Sequence, residues 1–414
     1  MNGEENFSLG ISPVPHEKLL KEACILMRRI EATYYAATPL FWGGADYRNK
    51  AEVRPPSLKG LLRFWFRAIS WPQLGSMNEV WEEERRLFGS TKGQGKFLLS
   101  VTKRQGLDIV GREEKWGKEG LAYLGYGAVD RGNTVRPYLR QGGHFTVALI
   151  LGKDVSTQQI DFLIQSIKAL GLFGGSGARS RKGLGSLSLA TLLLDGKEVW
   201  SAPANFQELK ERIRDFLESL GLEEDSAGAA PLPPYTAFSP ETKVYIVEGG
   251  GDPLELLDDI GRELMRYRSY GLKGKDGHLL FSREPAEQNF ADDHDLILDF
   301  LNGSTINRPP RRAVFGLPHN YYFKSTRQKA DVGPSGDGAG KRRASPLFIH
   351  IHVLNRRRYA AVLTLMPAVF LSQGTSIAVS NRDRGVRNVP ARVDFNVIET
   401  FLKRPGLNAK VVWP

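Results

Sequence analysis

The 414-residue length allows two or three domains with cores of their own, and 41% hydrophobic with 25% charged residues is the composition of an ordinary globular protein. The net charge of +11 is not ordinary, and it favours a polyanion or an acidic protein surface as partner without choosing between them. The single cysteine, Cys24, excludes an intrachain disulfide and any Cys-based zinc site, and no apolar run reaches membrane-spanning length, so a reducing cytoplasm without membrane contact is expected.

Residues 1–27 are weakly patterned, with a short helix expected over 17–27. From Arg29 the alternation of Ile30, Ala32, Tyr34 and Ala36 predicts a strand that ends at Thr38-Pro39. An apolar turn with paired glycines follows, Leu40 to Asp46, which reads equally as a buried connection or a binding element. Ser57, after two prolines, is a good N-cap for a helix running to about Ile69. On that helix Lys59, Arg63 and Arg67 stand at i, i+4 and i+8 and form one basic stripe, with Arg54 just before it and no acid between Arg54 and Ser70. Such a stripe is either a solvated face or one that a phosphate chain would relieve of its like-charge repulsion.

A charged helix is expected within 71–88, strands at 96–103 and 144–151, and between those strands a glycine- and charge-rich insertion near 104–140. The insertion carries Tyr123, Tyr126 and Tyr138, which suit either base stacking or local packing. A helix over 156–172 delivers the chain into a glycine loop, and a strand over 187–194 leaves it. Gly174, Gly175, Gly177, Gly183 and Gly185 bracket Arg179, Ser180, Arg181 and Lys182, with no acid in the segment. Glycines permit close backbone approach and an anion-binding nest, and cations attract a polyanion; the alternative is a turn whose cations are merely solvated. Small nucleotides fit poorly: a dinucleotide fingerprint needs glycine where Ser180 stands, and the nearest Walker-like run, Ser335 to Arg342, has serine first and arginine last.

The order β, α, β, β, α, glycine loop, β suits a split βαβ, or ferredoxin-like, module over 1–230. After a helix over 205–220, the stretch 223–234, rich in small residues and proline, is the expected boundary. The 231–414 half shows a strand at 243–248, a long helix over 253–270 with Arg262, Arg266 and Arg268 as a basic flank, and a helix over 292–301. A Gly-rich mobile loop is expected near 325–342, then a hairpin of 346–354 and 359–371 turned at Asn355 and Arg356, and a last helix over 396–403. The fold class is α+β, with two ferredoxin-like (RRM-like) modules packed together and carrying insertions.

Catalytic signals are sparse. His319 follows a Gly-Leu-Pro turn beside Tyr321 and Tyr322 and is the one candidate for acid–base work, against a structural histidine capping a turn. His350 and His352 share a strand face without a third metal ligand at telling spacing, and Asp292-Asp-His-Asp295 fits acids at a helix N-terminus. No cofactor or metal is expected.

Three stretches together resemble the RAMP superfamily of CRISPR effector proteins, and within it the Cmr subunit-one family of the type III-B RNA-targeting complex. They are Thr38-Pro-Leu-Phe-Trp-Gly-Gly-Ala-Asp46, Arg54-Pro-Pro-Ser-Leu-Lys-Gly-Leu-Leu-Arg-Phe-Trp-Phe-Arg67, and Leu172-Phe-Gly-Gly-Ser-Gly-Ala-Arg-Ser-Arg-Lys-Gly-Leu-Gly-Ser186, with Phe315-Gly-Leu-Pro-His319 and Arg343-Ala-Ser-Pro-Leu347 in the second half. The resemblance implies a place in a multi-subunit antiviral ribonucleoprotein, with other Cmr subunits and guide or target single-stranded RNA as partners. It implies no catalysis, although some RAMP relatives cleave RNA without metal. Carried to this chain, it assigns RNA contact to the loop (Gly174, Gly175, Gly177, Arg179, Ser180, Arg181, Lys182) and to Arg54, Lys59, Arg63 and Arg67, in one cleft.

Overall fold

The computed structural model describes residues 28–224, 231–270, 290–338, 340–354 and 358–414. The expected helix at 17–27, part of the 223–234 boundary and the turn at Asn355 and Arg356 lie outside the described residues.

The first strand is β1 (Arg29–Ala36), with Ile30, Ala32, Tyr34 and Ala36 all buried, as the alternation predicts. Helix α1 (Pro55–Leu74) starts two residues before Ser57, because proline at a first-turn position gives up an N–H that has no helical partner anyway. It also runs on through Pro72 to a left-handed Gly75 whose N–H bonds to Trp71 O. The charged helix, α2 (Met77–Phe88), is thus confined to the part after Ser76, whose hydroxyl accepts from Glu79 N. Then come β2 (Phe97–Gln105), β3 (His144–Leu151), α3 (Thr157–Phe173), opened by a Ser156–Gln159 capping box, β4 (Leu187–Leu194) and β5 (Lys197–Ser201). These strands form one antiparallel sheet in the order β5-β4-β1-β3-β2, followed by α4 (Phe206–Ser219).

The second half repeats that order. Its strands are β6 (Lys243–Glu248), then, after α5 (Pro253–Arg268) and α6 (Ala291–Leu301), β7 (His319–Tyr322), β8 (Lys329–Ser335), β9 (Leu347–Val353), β10 (Tyr359–Leu365), β11 (Ser376–Asn381) and β12 (Gly385–Pro390); α7 (Asn396–Leu402) and β13 (Lys410–Trp413) close the chain. An antiparallel sheet of β9-β10-β6-β13 carries α5 and α7 on one face, while β7-β8-β11-β12 make a third sheet out of two inserted hairpins. Residues 325–342, expected as a mobile glycine-rich loop, therefore include a strand. Ala330 and Val332 alternate into a small core with Ile377, Val379 and α6, and this packing outweighs the poor strand propensity of Gly333 and Pro334.

The first-half helices are buried on two sides. Ile30, Ala32 and Tyr34 of the first sheet share a core with Leu58, Leu62 and Trp65 of α1 and Ile160, Leu163 and Ile167 of α3. The same core takes in Val244, Ile246, Phe348 and Val362 from one face of the second sheet. Tyr245, Val247, Ile349 and Leu363 point the other way, onto α5 and α7. The result is four layers: sheet, helices, sheet, helices. The insertion near 104–140 bridges the halves, since Leu121 N donates to Asp258 Oδ1 of α5 at 2.9 Å. Among the described residues no helix is long and apolar enough to cross a membrane.

Candidate nucleic-acid interface

The glycine loop lies where the two halves meet, and the turn before α1 is welded to it. Thr38 donates its hydroxyl hydrogen to Gly183 O at 2.6 Å and accepts from Ser186 N at 3.0 Å, while Ala178 N donates to Phe41 O at 3.1 Å. Two glycines are demanded by these contacts. A Cβ on Gly177, which has φ +84°, would fall 2.5 Å from Phe41 O, and one on Gly185, with φ +70°, 1.9 Å from Ser176 O. Gly174 and Gly175 are buried, so they shape the loop and line no surface. The close approach that glycine permits here is to the protein's own backbone.

Beyond the tip the loop covers the edge of the second sheet. Alternate N–H groups of β9 are satisfied one by one, Ile349 by Arg181 O at 3.1 Å, Ile351 by Ser186 Oγ at 3.0 Å and Val353 by Ser188 Oγ at 3.1 Å. Arg181 belongs to this joint. Its guanidinium donates to Ser345 O at 2.6 Å and lies 4.4 Å from the Phe348 ring centre, and burial holds its pKa down to about 10. His350 also serves it, its Nδ1 donating to Gly174 O at 2.7 Å. His350 and His352 are fully buried, and burial depresses both pKa values, to about 4 for His350, so both stay neutral. Among the described residues no group of three or more His, Cys, Asp or Glu is placed to hold a metal ion.

Arg179, Ser180 and Lys182 are the loop residues left for other work. Arg179 is exposed in a left-handed conformation (φ +65°), 6.0 Å from the ring centre of Tyr126, and its pKa is lowered by burial, then by Arg342 and Arg136. Ser180 sits half-exposed beside it. The Lys182 Nζ is buried without a hydrogen-bond partner among the described residues, and burial, then Arg268, Arg179 and Arg181, pull its pKa down to about 7. The three charged groups that lower it are all cations.

Arg268 reaches this cluster from the end of α5, whereas the rest of the expected basic flank turns away into ion pairs, Arg262 with Asp258 and Asp259 and Arg266 with Glu263. Arg312 donates to Arg268 O at 3.3 Å and pairs with Asp293, whose carboxylate also accepts from the backbone N–H groups of Arg311 and Arg312. The acid run at 292–295 thus braces a 3-10 turn through a buried carboxylate. His319 lies against the same cations. Burial, then Arg268, Arg312 and Lys182, pushes its pKa well below the usual value, so it is neutral at neutral pH. Burial raises the neighbouring Tyr321 to about 12.

The α1 stripe is placed otherwise than its sequence suggests. Arg63 Nε and Arg67 Nη1 both bond to the buried Glu84 carboxylate of α2, each at 2.8 Å, and Arg63 also donates to Gly89 O at 2.7 Å. Lys59 lies 5.4 Å from the Phe97 ring centre. The stripe faces α2 and β2, and its neutralising acid arrives from the next helix; α1 meets the loop through Phe64, whose ring centre lies 5.4 Å from the Arg181 guanidinium, and through its start. There Ser57 and Leu61, with Gly177 and Ala178, line a cavity of about 380 Å³ that also takes in Trp42, Tyr47 and Arg136. Arg54 stands at the same end, 3.4 Å from Glu52. Of the three insertion tyrosines, Tyr126 is 72% exposed, whereas Tyr138 is buried and donates to Glu114. Sequence reasoning placed Arg268 on a basic helix flank but missed Arg136, Arg312 and Arg342, which lie far apart in the chain and approach the loop only in the fold.

The RAMP superfamily family model matches residues 33–188, from β1 through the glycine loop into β4. Two proteins of Pyrococcus furiosus are similar in sequence. The CRISPR system Cmr subunit Cmr1-1 is 24% identical over 367 residues, covering 86% of this chain and 88% of that relative. Cmr subunit Cmr1-2 is 28% identical over 179 residues, which is 38% of this chain and 92% of that relative. Among solved structures, apo Cmr1 from Pyrococcus furiosus superposes with a TM-score of 0.55 at 18% identity, over 93% of this chain and 98% of the other. A chain of the type III-B Cmr-beta assembly bound to cognate target RNA gives 0.50 at 12% identity, over 92% and 99%. Over residues 33–188 this chain is similar to the RAMP superfamily, and over most of its length it is similar to the Cmr1 subunits of the CRISPR Cmr system.

Proposed function

We propose that the chain is a non-catalytic RNA-binding and assembly subunit of a type III-B Cmr ribonucleoprotein, holding guide or target single-stranded RNA against the cleft between its halves. The observation that carries this reading is the Lys182 ammonium, buried among Arg179, Arg181 and Arg268 with no hydrogen-bond partner among the described residues. Such a group is unfavourable in the free protein and is relieved by a bound phosphate. The repeated strand order supports reading each half as a ferredoxin-like module, fourth strand beside first, first beside third, third beside second. The relative that forms part of an RNA-bound Cmr assembly supports the partners, RNA and other subunits.

The test is fluorescence anisotropy of a labelled single-stranded RNA with the full chain across a salt series. Replacing Arg179, Lys182 and Arg268 by alanine lowers the slope of log affinity against log salt by about 0.7 for each phosphate contact removed. Unchanged affinity at both low and moderate salt refutes the assignment. His319 gives the rival reading, a metal-independent ribonuclease, its one specific support, because it sits among cations near a tyrosine. Labelled repeat RNA incubated in EDTA decides between them. Products formed by the wild type and lost in His319→Ala establish the ribonuclease; no products from either leave the binding role.

A further inference from the structure

The geometry points to a socket for one unstacked nucleobase in the cavity bounded by Trp42, Tyr47, Arg136 and the Gly177–Ala178 turn. This deepens the RNA-binding reading and rests on it. The cavity, about 380 Å³, is large enough for a planar heterocycle and part of its sugar, and its walls come from four separate elements: the turn after β1, the start of α1, the insertion through Arg136, and the glycine loop. Aromatic rings dominate one side. Trp42 is buried, edge-on to Phe145 at 5.9 Å between ring centres, and Tyr47, 45% exposed, stands at the rim. The Arg136 guanidinium lies 5.7 Å from the Phe41 ring centre and 5.8 Å from that of Tyr47, so a second flat group is held beside the rings.

Two buried N–H groups of these lining residues, Trp42 Nε1 and Arg136 Nε, have no acceptor among the described residues. Buried donors are normally paired, and two that belong to residues lining one aromatic cavity fit a ligand that is flat and presents acceptors at its edge. A nucleobase has that chemistry, with carbonyl oxygens and ring nitrogens at the edge and faces that stack on aromatic and guanidinium planes. The cavity shares Gly177 with the loop, and Arg136 acts electrostatically on Arg179, so a strand whose backbone follows the cations passes its mouth.

The experiment measures three ligands against the full chain: a single-stranded RNA, the same strand with abasic positions throughout, and free nucleoside monophosphates. Wild type is expected to bind the natural strand about tenfold tighter than the abasic one, within the range that base stacking gives. Trp42→Phe, which keeps the ring but removes the donor, and Tyr47→Ala, at the exposed rim, each reduce that preference while leaving affinity for the abasic strand unchanged. Equal binding of natural and abasic strands by wild type overturns the socket and leaves RNA binding intact. Binding of neither strand sinks the RNA reading itself. Monophosphates that bind in a Tyr47-dependent way and are not displaced by the strand overturn the strand as the source of the base.

Discussion

Lys182→Met is expected to make the free protein more stable while weakening its grip on RNA. The Lys182 ammonium stays charged to pH 10.5 when exposed, but in the fold burial and three cations bring its pKa to about 7. The folded state therefore binds fewer protons here than the unfolded chain, and this one residue opposes folding by at most about 5 kcal/mol below pH 7. Loop relaxation that lets water reach Nζ lowers the figure, so a gain of about 1–3 kcal/mol for the methionine variant at pH 7 is the expected outcome. The sign is fixed by linkage: wild-type stability rises from pH 7 towards pH 10.5, and the advantage of the variant shrinks over the same interval. Urea unfolding of both proteins at pH 7, 8, 9 and 10 reads the difference directly, and any background titration common to the two cancels. In parallel, the variant loses about 0.7 from the salt slope of RNA binding. A methionine variant that is less stable at pH 7, or an advantage that does not change with pH, would falsify the reading of Lys182 as an uncompensated buried cation.

Three further outcomes follow from the same geometry. Glu84→Gln removes the charge that Arg63 and Arg67 share, so thermal denaturation should show a loss of about 2–4 kcal/mol, whereas an unchanged midpoint would mean that the two arginines are simply solvated. His350 is neutral and buried, with a pKa of about 4 against 6.5 in the unfolded chain, so its contribution is lost as pH falls from 6.5 towards 4; between pH 6.5 and pH 5 its share of the loss is about 2 kcal/mol, and unfolding of His350→Gln should show the wild-type loss reduced by that share, with the shares of His352 and His319 remaining, whereas an unreduced loss refutes the assignment. Gly185→Ala sets a Cβ 1.9 Å from Ser176 O on a left-handed residue, and circular dichroism melts should show a drop of about 3 kcal/mol or more, a value under 1 kcal/mol refuting the close approach.

Much of the fold is legible because its elements carry their own periodicity. β1, β3, β4 and β6 bury alternate or continuous apolar residues, and α3 announces itself through Ser156 and Gln159. What is not legible depends on partners distant in sequence. β8 is a strand only because β7 and β11 flank it, and β13, four residues long, has too little pattern to be read alone. The site divides the same way. A run of cations without a nearby acid looks unneutralised, yet Glu84 arrives from the following helix and takes two of the three α1 cations. Conversely, Trp42, Tyr47 and Arg136 form one cavity although nothing in their local sequences ties Arg136 to the others.

The glycine loop shows why residue type separates its two tasks. The joint between the halves needs directed bonds, and Arg181 suits it because a guanidinium can stack on Phe348 while its fork donates to Ser345 O. A lysine at that place would offer neither the flat face nor the fixed donor angle. Lys182 is the reverse case, a compact charge on a flexible stem, whose backbone bridges to β9 while its tip finds no partner. Adjacent residues therefore use main chain and side chain for different ends: the main chain seals the edge of the second sheet, and the ammonium is left among cations where a phosphate would complete it. Because one segment does both, displacing the loop to admit a ligand would uncover the Ile349, Ile351 and Val353 N–H groups. On the proposed reading, a phosphate would instead approach from the exposed side of Arg179, with the joint intact.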